Sequence, residues 1–311
     1  MRSIFNAIRT FVVLATMTQA SAALADTPAD ALNAARERGF GNAKFAFGID
    51  VASVRGMLTF KRLAAEWFRR DGTSHTLFER AKSACGIDLF QSVESVVLIG
   101  GDASPAPKAM FYVSIKGLSP DNVTDCLRRV SAPGGIATSR PDADGIIELR
   151  TKEGSQFVAL LPRGVIAFAG NGSDKAMLKR ALARRAFAPT DLSNSIAKID
   201  TRASLWGARA EPDRLDEGVT MKVGYGSAHC SLRNCETTLT IEADSEKGVA
   251  ALTSQLTKNV AELLKGANIP PALVRVARAA SFASKGAEFQ FKATTTDAEL
   301  LLLMEFVFGV K

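Results

Sequence analysis

The chain has 311 residues, of which 47% are apolar and 23% are charged, and its formal net charge at pH 7 is +7. This balance is typical of a globular protein and excludes an intrinsically disordered one. The length allows one large domain or two small ones. The basic excess is modest, so it predicts at most a weak attraction to acidic envelope surfaces and no nucleic-acid partner.

Residues 1–25 have the pattern of a secretory signal peptide. Arg2 and Arg9 supply the positive region, Phe11–Ala15 is a short apolar core, and Ala23–Ala25 is a small-residue cleavage site. This apolar run is far shorter than the roughly 20 residues that a spanning helix needs, and an uncleaved anchor is the alternative. We expect cleavage near Ala25, a mature chain of net charge +5 without a transmembrane segment, and a periplasmic or secreted location.

The mature chain begins with an N-terminal segment, 26–43, which starts polar and contains a short helix. A first α+β repeat follows at 44–188. Its periodicity predicts a strand, two helices, a hairpin, a helix, four short strands and a final helix. In that order they are Lys44–Val51, Val54–Phe68, Thr76–Ala84, Val93–Gly100 with Phe111–Lys116, Ser119–Val130, 136–169 and Asp174–Ala186.

A second α+β repeat is predicted at 189–311, after a boundary at Ala188–Asn194 where Pro189 and Ser193 interrupt the pattern. Its front is shorter, and its elements otherwise repeat the order of the first. They are a strand Ala203–Ala208, a helical turn Glu211–Glu217, a hairpin Val219–His229 with Glu236–Ala243, a helix Ser245–Lys265, a short helix after Pro270, a hairpin Ser281–Ser284 with Glu288–Ala293, and a helix Thr296–Phe308.

The two repeats share a segment that aligns without a gap, residues 93–130 on residues 219–256. The six identical positions include Ser119 on Ser245 at the predicted start of a helix, and the apolar alternation of the hairpins coincides as well. We interpret this as an internal duplication. The predicted fold class is therefore α+β, with two related halves that are each an antiparallel β-sheet with helices packed on one face.

All four cysteines lie in the mature chain, and an even number in an exported protein favours disulfides. Pairing within each half predicts the bonds Cys85–Cys126 and Cys230–Cys235. Zinc binding by His229 together with the second pair is the alternative. A disulfide is the preferred interpretation, because these two cysteines flank a short hairpin loop and face each other.

The helix predicted at Asp174–Ala186 carries a basic stripe that is a candidate anion-binding face. Its members are Lys175, Lys179, Arg180, Arg184 and Arg185. An ordinary solvated helix face explains the same pattern and is the preferred interpretation. The chain has two histidines and lacks a phosphate-binding glycine loop, a nucleophile elbow and a zinc-protease motif, so we predict no catalytic residue, no metal site and no cofactor.

Four segments, FGIDVASVRG, CGIDLFQSVESVVLIGG, VSIKGLSPDNVTDCL and ASLWGA, resemble those of an uncharacterised family of exported bacterial proteins with duplicated α+β halves. The resemblance covers most of residues 44–311. It implies the same fold class and brings no catalytic residue and no cofactor with it.

These observations predict a non-enzymatic exported protein of the cell envelope that binds a protein or an amphipathic partner. One alternative is a lipid or lipoprotein carrier, with an apolar cavity lined by residues such as Phe60, Trp67, Leu300 and Phe308. The other is a hydrolase with an unrecognised carboxylate site, in which two acidic side chains converge in a cleft.

Overall fold

A computed structural model describes most of the chain. The described residues are 29–38, 43–70, 72–101, 108–117, 120–151, 154–169, 175–183, 189–214, 219–265 and 271–308. The predicted signal peptide lies outside them.

The helices, in chain order, are α1 (Ala29–Arg38), α2 (Val51–Val54), α3 (Leu58–Arg70), α4 (Gly72–Cys85), α5 (Leu89–Ser92), α6 (Pro120–Ser131), α7 (Lys175–Leu182), α8 (Asp191–Ala197), α9 (Glu246–Leu263), α10 (Pro271–Ala279) and α11 (Asp297–Phe308). The strands are β1 (Phe45–Asp50), β2 (Val93–Gly101), β3 (Lys108–Ile115), β4 (Ala137–Thr138), β5 (Ile146–Thr151), β6 (Gly154–Leu161), β7 (Val165–Ala169), β8 (Leu205–Arg209), β9 (Asp213–Arg214), β10 (Thr220–Cys230), β11 (Asn234–Ala243), β12 (Ser281–Lys285) and β13 (Glu288–Thr296).

The fold is α+β with antiparallel strand pairing, as the alternation of the sequence predicts. The chain divides into two compact units. The first consists of residues up to Ala43, Gly48–Ala52 and Trp67–Ala188; the second consists of Lys44–Phe47, Ser53–Glu66 and residues from Pro189 onward. The second unit therefore takes in two short early pieces of the chain, which alternate in sequence with pieces of the first.

The first unit has the strand order β2-β3-β7-β6-β5-β4. Its apolar core contains the fully buried side chain of Phe168, which stacks on Phe111 with ring centroids 4.9 Å apart. Helix α6 buries Val123, Cys126, Leu127 and Val130, which recur at helical spacing as the sequence predicts. Helix α1 packs against β2 and β3, and α4 packs against α6.

The second unit has the strand order β12-β13-β11-β10-β8, and β9 pairs with β10. Its core joins Val219, Ala243 and Phe289 of the sheet to Val249 and Leu252 of α9. We call the sheet face that carries Phe289 the α9 face. In both units a hairpin is followed by a helix, and the order β2-β3-β7-β6 matches β10-β11-β13-β12, which is compatible with the predicted duplication.

One local prediction in the second unit is wrong. The helical turn expected at Glu211–Glu217 is replaced, in its described part, by strand β9, which pairs with Thr220 and Met221. The guanidinium of Arg209 in β8 lies 2.9 Å from a carboxylate oxygen of Asp213 and 3.3 Å from one of Glu211, and these ion pairs hold the segment beside the sheet. The division between the two units after residue 67 falls between Ala188 and Pro189, inside the expected boundary at Ala188–Asn194. Helix α8 begins within that range, where Thr190 and Ser193 form a reciprocal capping box.

Candidate functional site

An open apolar trough lies on the α9 face of the second sheet, with a volume of about 670 Å³. Directly paired residues of antiparallel strands point to the same side of a sheet, so the pairing register defines the trough. Its central row, from β8 to β13, consists of Gly207, Gly226, Leu239 and Phe291. The adjacent row consists of Arg209, Gly224, Ile241 and Phe289.

Glycines make the floor of the trough. Gly207 and Gly226 are paired with each other, and Gly224 lies two positions before Gly226 in β10, on the same face. A Cβ atom at Gly226 would lie 2.3 Å from the carbonyl oxygen of Thr238, so this position accepts no side chain without movement of backbone. Consecutive residues of β8 and β10 line the trough, which means that bare backbone contributes to its floor.

Large apolar side chains form the walls. On the β11 and β13 side they are Leu239, Ile241 and Phe291, and on the opposite side Phe45, Phe47 and Leu205. Ile241 and Phe291 also pack on the core beneath α9, so the trough is the continuation of the core face beyond that helix. Phe47 is 40% exposed and Leu239 is 37% exposed. Among the described residues, every large hydrophobic side chain that is strongly exposed belongs to the second unit.

The charged group at the trough is Arg209, at the end formed by β8 and Gly224. Its guanidinium is already paired with Asp213 and Glu211, so it closes that end as part of a small ion-pair cluster. The remaining described lining is largely apolar, with a hydroxyl group from Thr237 on the face of Leu239 and Ile241. The site therefore offers mainly dispersion and hydrophobic contact.

A smaller polar cleft of about 380 Å³ lies on the opposite face of the same sheet. There Glu242 and Glu288 are directly paired across β11 and β13. The ammonium of Lys198 donates a hydrogen bond to Glu242 and lies 5.4 Å from the ring centre of Tyr225. This hydrogen bond raises the pKa of Lys198. Glu242 and Glu288 therefore lie together in a polar cleft beside Lys198, and this is the acidic pair to which the hydrolase alternative would assign catalysis.

The structure contains both predicted disulfides. Cys85 at the end of α4 is bonded to Cys126 of α6, with Cα atoms 5.8 Å apart. Cys230 and Cys235 are directly opposite each other at the end of the β10–β11 hairpin, with Cα atoms 4.0 Å apart. Because these two cysteines bond to each other, they are not zinc ligands. Across the described part of the chain, no group of three or more His, Cys, Asp or Glu side chains is placed to hold a metal ion.

The basic stripe of α7 is partly neutralised within the first unit. Lys175 lies 2.6 Å from a carboxylate oxygen of Asp142, and Lys179 lies 2.7 Å from one of Asp144. The hydrogen bond from Lys175 lowers the pKa of Asp142, and the one from Asp144 raises the pKa of Lys179. The side chain of Arg180 and all of Arg184 and Arg185 lie outside the described residues.

The residues expected to line a carrier cavity are not those of the trough. Phe60 and Leu300 are half-buried and do not belong to its described lining. The side chains of Trp67 and Phe308 lie outside the description. The trough is instead lined by residues of β1, β8, β10, β11 and β13. In the sequence, the small residues Gly224, Gly226 and Ala228 at alternate positions of β10 are the feature that could have indicated it. No helix in the described ranges is long and apolar enough to cross a membrane.

Fold and site together define an α+β protein with an apolar depression on an antiparallel sheet. Among solved structures, it is similar to crystal form IV of TP0453, a bacterial (treponemal) protein, with a TM-score of 0.53 and 8% identity over 89% of this chain and 99% of that one. Crystal form III of TP0453 gives a TM-score of 0.50 and 10% identity over 85% of this chain and 95% of that one. No protein-family model and no curated protein sequence matches the chain. At these identities the likeness shows the fold alone.

Proposed function

We propose that this protein is a non-enzymatic, exported protein of the cell envelope that binds the apolar part of an amphipathic molecule in the trough. The observation that carries the proposal is the trough itself, which leaves Phe47 and Leu239 in contact with water. Its volume of about 670 Å³ lies within the range of small-molecule sites. Covering these side chains releases water from apolar surface, which is the main source of affinity at such a site.

The open top of the trough suits a ligand that is only partly buried. An amphipathic molecule would lay its hydrocarbon portion along the glycine floor and keep its polar head in water or near the ion pairs of Arg209. A polypeptide with an apolar segment would use the same surface, and this is the second candidate.

Export belongs to the same proposal. The two disulfides are compatible with an oxidising compartment. We infer that the chain is cleaved near Ala25 and works in the periplasm or outside the cell.

Native mass spectrometry of the exported protein, followed by titration with a fluorescent fatty acid, tests the proposal. Gly224→Val adds a branched side chain to the floor, where the nearest obstacle is the flexible side chain of Met221 at 3.3 Å, so the fold should tolerate it. We expect at least a tenfold weaker affinity, because the added methyl groups occupy ligand space. Thr240→Val is the matched control, since Thr240 points to the opposite face of the neighbouring strand.

The outcomes separate the candidates. A co-purifying lipid and a loss of affinity in Gly224→Val alone support the amphipathic ligand, whereas a co-purifying polypeptide supports the second candidate. Equal affinity in both variants rules out the trough as the site. The hydrolase alternative requires turnover of an ester or glycoside panel that disappears in Glu242→Gln, because Glu242 and Glu288 are the acidic pair that meets in a cleft.

A further inference from the structure

One end of the second unit presents two leucines to water. Leu232, in the loop of the β10–β11 hairpin, is 68% exposed, and Leu58, the first residue of α3, is 54% exposed. They belong to one surface, because a Cβ atom at Gly56 would lie 2.6 Å from Leu232 Cδ2 and Gly56 precedes Leu58 by two positions. We call this surface, made by Leu58, Leu232 and their flanking residues, the leucine tip. It is separate from the trough, whose described lining contains neither leucine.

Rigid supports hold the leucine tip in place. The Cys230–Cys235 disulfide closes the hairpin, and the Ser231 hydroxyl donates to the Asn234 side chain at 2.8 Å across its loop. The hydroxyl of Ser204 accepts from the N–H of Cys230 at 3.0 Å. The start of α3 is fixed by the carboxylate of Asp297, which accepts hydrogen bonds from the N–H groups of Leu58 and Thr59. The backbone at both leucines is therefore held in place by covalent and hydrogen bonds.

Three exposed cations lie next to the two leucines in sequence. Lys61 and Arg62 are exposed and stand three and four positions after Leu58, which places them on the same face of α3. Arg233 is exposed and directly follows Leu232. The carboxylate of Asp297, which is close enough to Lys61 to interact with it, is buried and occupied in capping α3. Exposed leucines with cations next to them are complementary to an anionic lipid surface, whose headgroups are negative and whose interior is apolar.

We propose that the leucine tip is a docking site for an anionic lipid surface. Leu58 and Leu232 enter the boundary between headgroups and acyl chains, while Lys61, Arg62 and Arg233 contact the anionic headgroups. This contact is peripheral and reversible, since two leucines and three cations fall well short of a permanent anchor. It does not require a ligand in the trough.

Co-sedimentation with vesicles tests the proposal on the full mature chain. Binding to equimolar phosphatidylglycerol and phosphatidylcholine should exceed binding to pure phosphatidylcholine, and it should fall steeply with added salt. Leu58→Gln and Leu232→Gln should each weaken binding on the order of tenfold, as expected for loss of a buried leucine. Lys61→Gln, Arg62→Gln and Arg233→Gln should each weaken it about fivefold. Leu239→Gln, in the trough, is the matched control and should bind vesicles like the unchanged protein.

Fatty-acid titration in the same variants separates this site from the trough. Leu58→Gln and Leu232→Gln should keep the unchanged affinity for the probe, which also shows that they are folded. Equal binding to both vesicle types, no binding to either, or unchanged binding in the leucine and cation variants would overturn the proposal. So would a loss of vesicle binding in Leu239→Gln equal to that in Leu232→Gln.

Discussion

Asp297 connects two helices that are far apart in the sequence. It is the first residue of α11, where an aspartate favours helix initiation, and this role is readable from the sequence. Its carboxylate also accepts the N–H of Thr59 at 3.0 Å and the N–H of Leu58, and its carbonyl accepts the Thr59 hydroxyl at 2.8 Å. Asp297 is only 8% exposed. It therefore supplies the N-terminal cap that α3 lacks in its own sequence.

Replacing Asp297 by Asn should lower the free energy of unfolding by about 1–3 kcal/mol, because a buried charge-assisted cap is weakened. Chemical denaturation at neutral pH measures this loss. Asp244→Asn is the control, since the carboxylate of Asp244 also accepts a backbone N–H, that of Thr220 at 3.2 Å, but on the surface. A loss in Asp244→Asn as large as in Asp297→Asn would contradict the capping argument.

The same carboxylate makes the second unit sensitive to acid. Burial acts to raise the pKa of Asp297, but the hydrogen bonds from Thr59 and Leu58 outweigh it and hold the pKa below the ordinary value of 3.8. A lowered pKa means that the stabilisation is complete above the ordinary value and is lost as the pH falls through the folded value. The stability difference between the unchanged protein and Asp297→Asn should therefore narrow when denaturation is repeated in increasingly acidic buffer.

The basic residues of α7 show why a charge stripe alone does not predict a binding site. The sequence shows the stripe, but it does not show that Asp142 and Asp144, from the turn before β5, lie against Lys175 and Lys179. Each of these pairs is exposed and contributes little stability. These pairs reduce the positive charge that α7 presents to solvent. For Arg180, Arg184 and Arg185 the anion-binding face stays a prediction.

Among the elements, the hairpins and the long helices were predictable because their apolar periods are strong. Apolar and polar residues alternate along much of β10 and β11. Helix α9 begins after Ser245, the predicted helix start, whose hydroxyl accepts the N–H of Gly248 at 2.9 Å. Helix α8 and strand β9 were not predicted. Helix α8 has only seven residues and β9 has two, so each is too short for its apolar pattern to stand out from the surrounding sequence.

The two disulfides should differ in their effect on stability. Cys85 and Cys126 are 41 positions apart and join α4 to α6, so their bond removes much freedom from the unfolded chain, about 4 kcal/mol by loop-closure entropy. Cys230 and Cys235 are five positions apart in a hairpin that strand pairing already holds, and their bond contributes about 2 kcal/mol by the same reasoning.

Denaturant unfolding of the two double Cys→Ala variants checks this order. Cys85→Ala with Cys126→Ala should be the more damaging pair, and the full burial of Cys126 adds a small cavity to its cost. Cys230→Ala with Cys235→Ala should unfold cooperatively at a denaturant concentration closer to that of the unchanged protein. A larger loss for the hairpin pair would show that loop closure does not govern the effect.

At the scale of the whole molecule, the sequence shows the α+β class but not how the chain is shared between the compact units. Periodicity identifies β1 as a strand, yet six residues carry no information about which other strands it accompanies. In the structure, Lys44–Phe47 and Ser53–Glu66 are grouped with residues from Pro189 onward. The trough could not be predicted for the same reason, because its wall needs Phe45 and Phe47 beside strands that are some 160 positions later.

This sharing predicts that the chain cannot be cut at Ala188 into two independent halves. A fragment of residues 189–311 loses the hydrogen bond from the N–H of Ala210 to the carbonyl of Lys44, which is 2.7 Å long, and the contact of Phe47 with Gly207. It also leaves the buried carboxylate of Asp297 without the Leu58 and Thr59 donors, which is costly. We expect this fragment to show no cooperative thermal transition by circular dichroism. Adding a synthetic peptide of residues 44–66 should restore one, whereas the same peptide with Phe47→Ala and Thr59→Val should not. A fragment that melts cooperatively without the peptide would show that the second unit folds without the early segment.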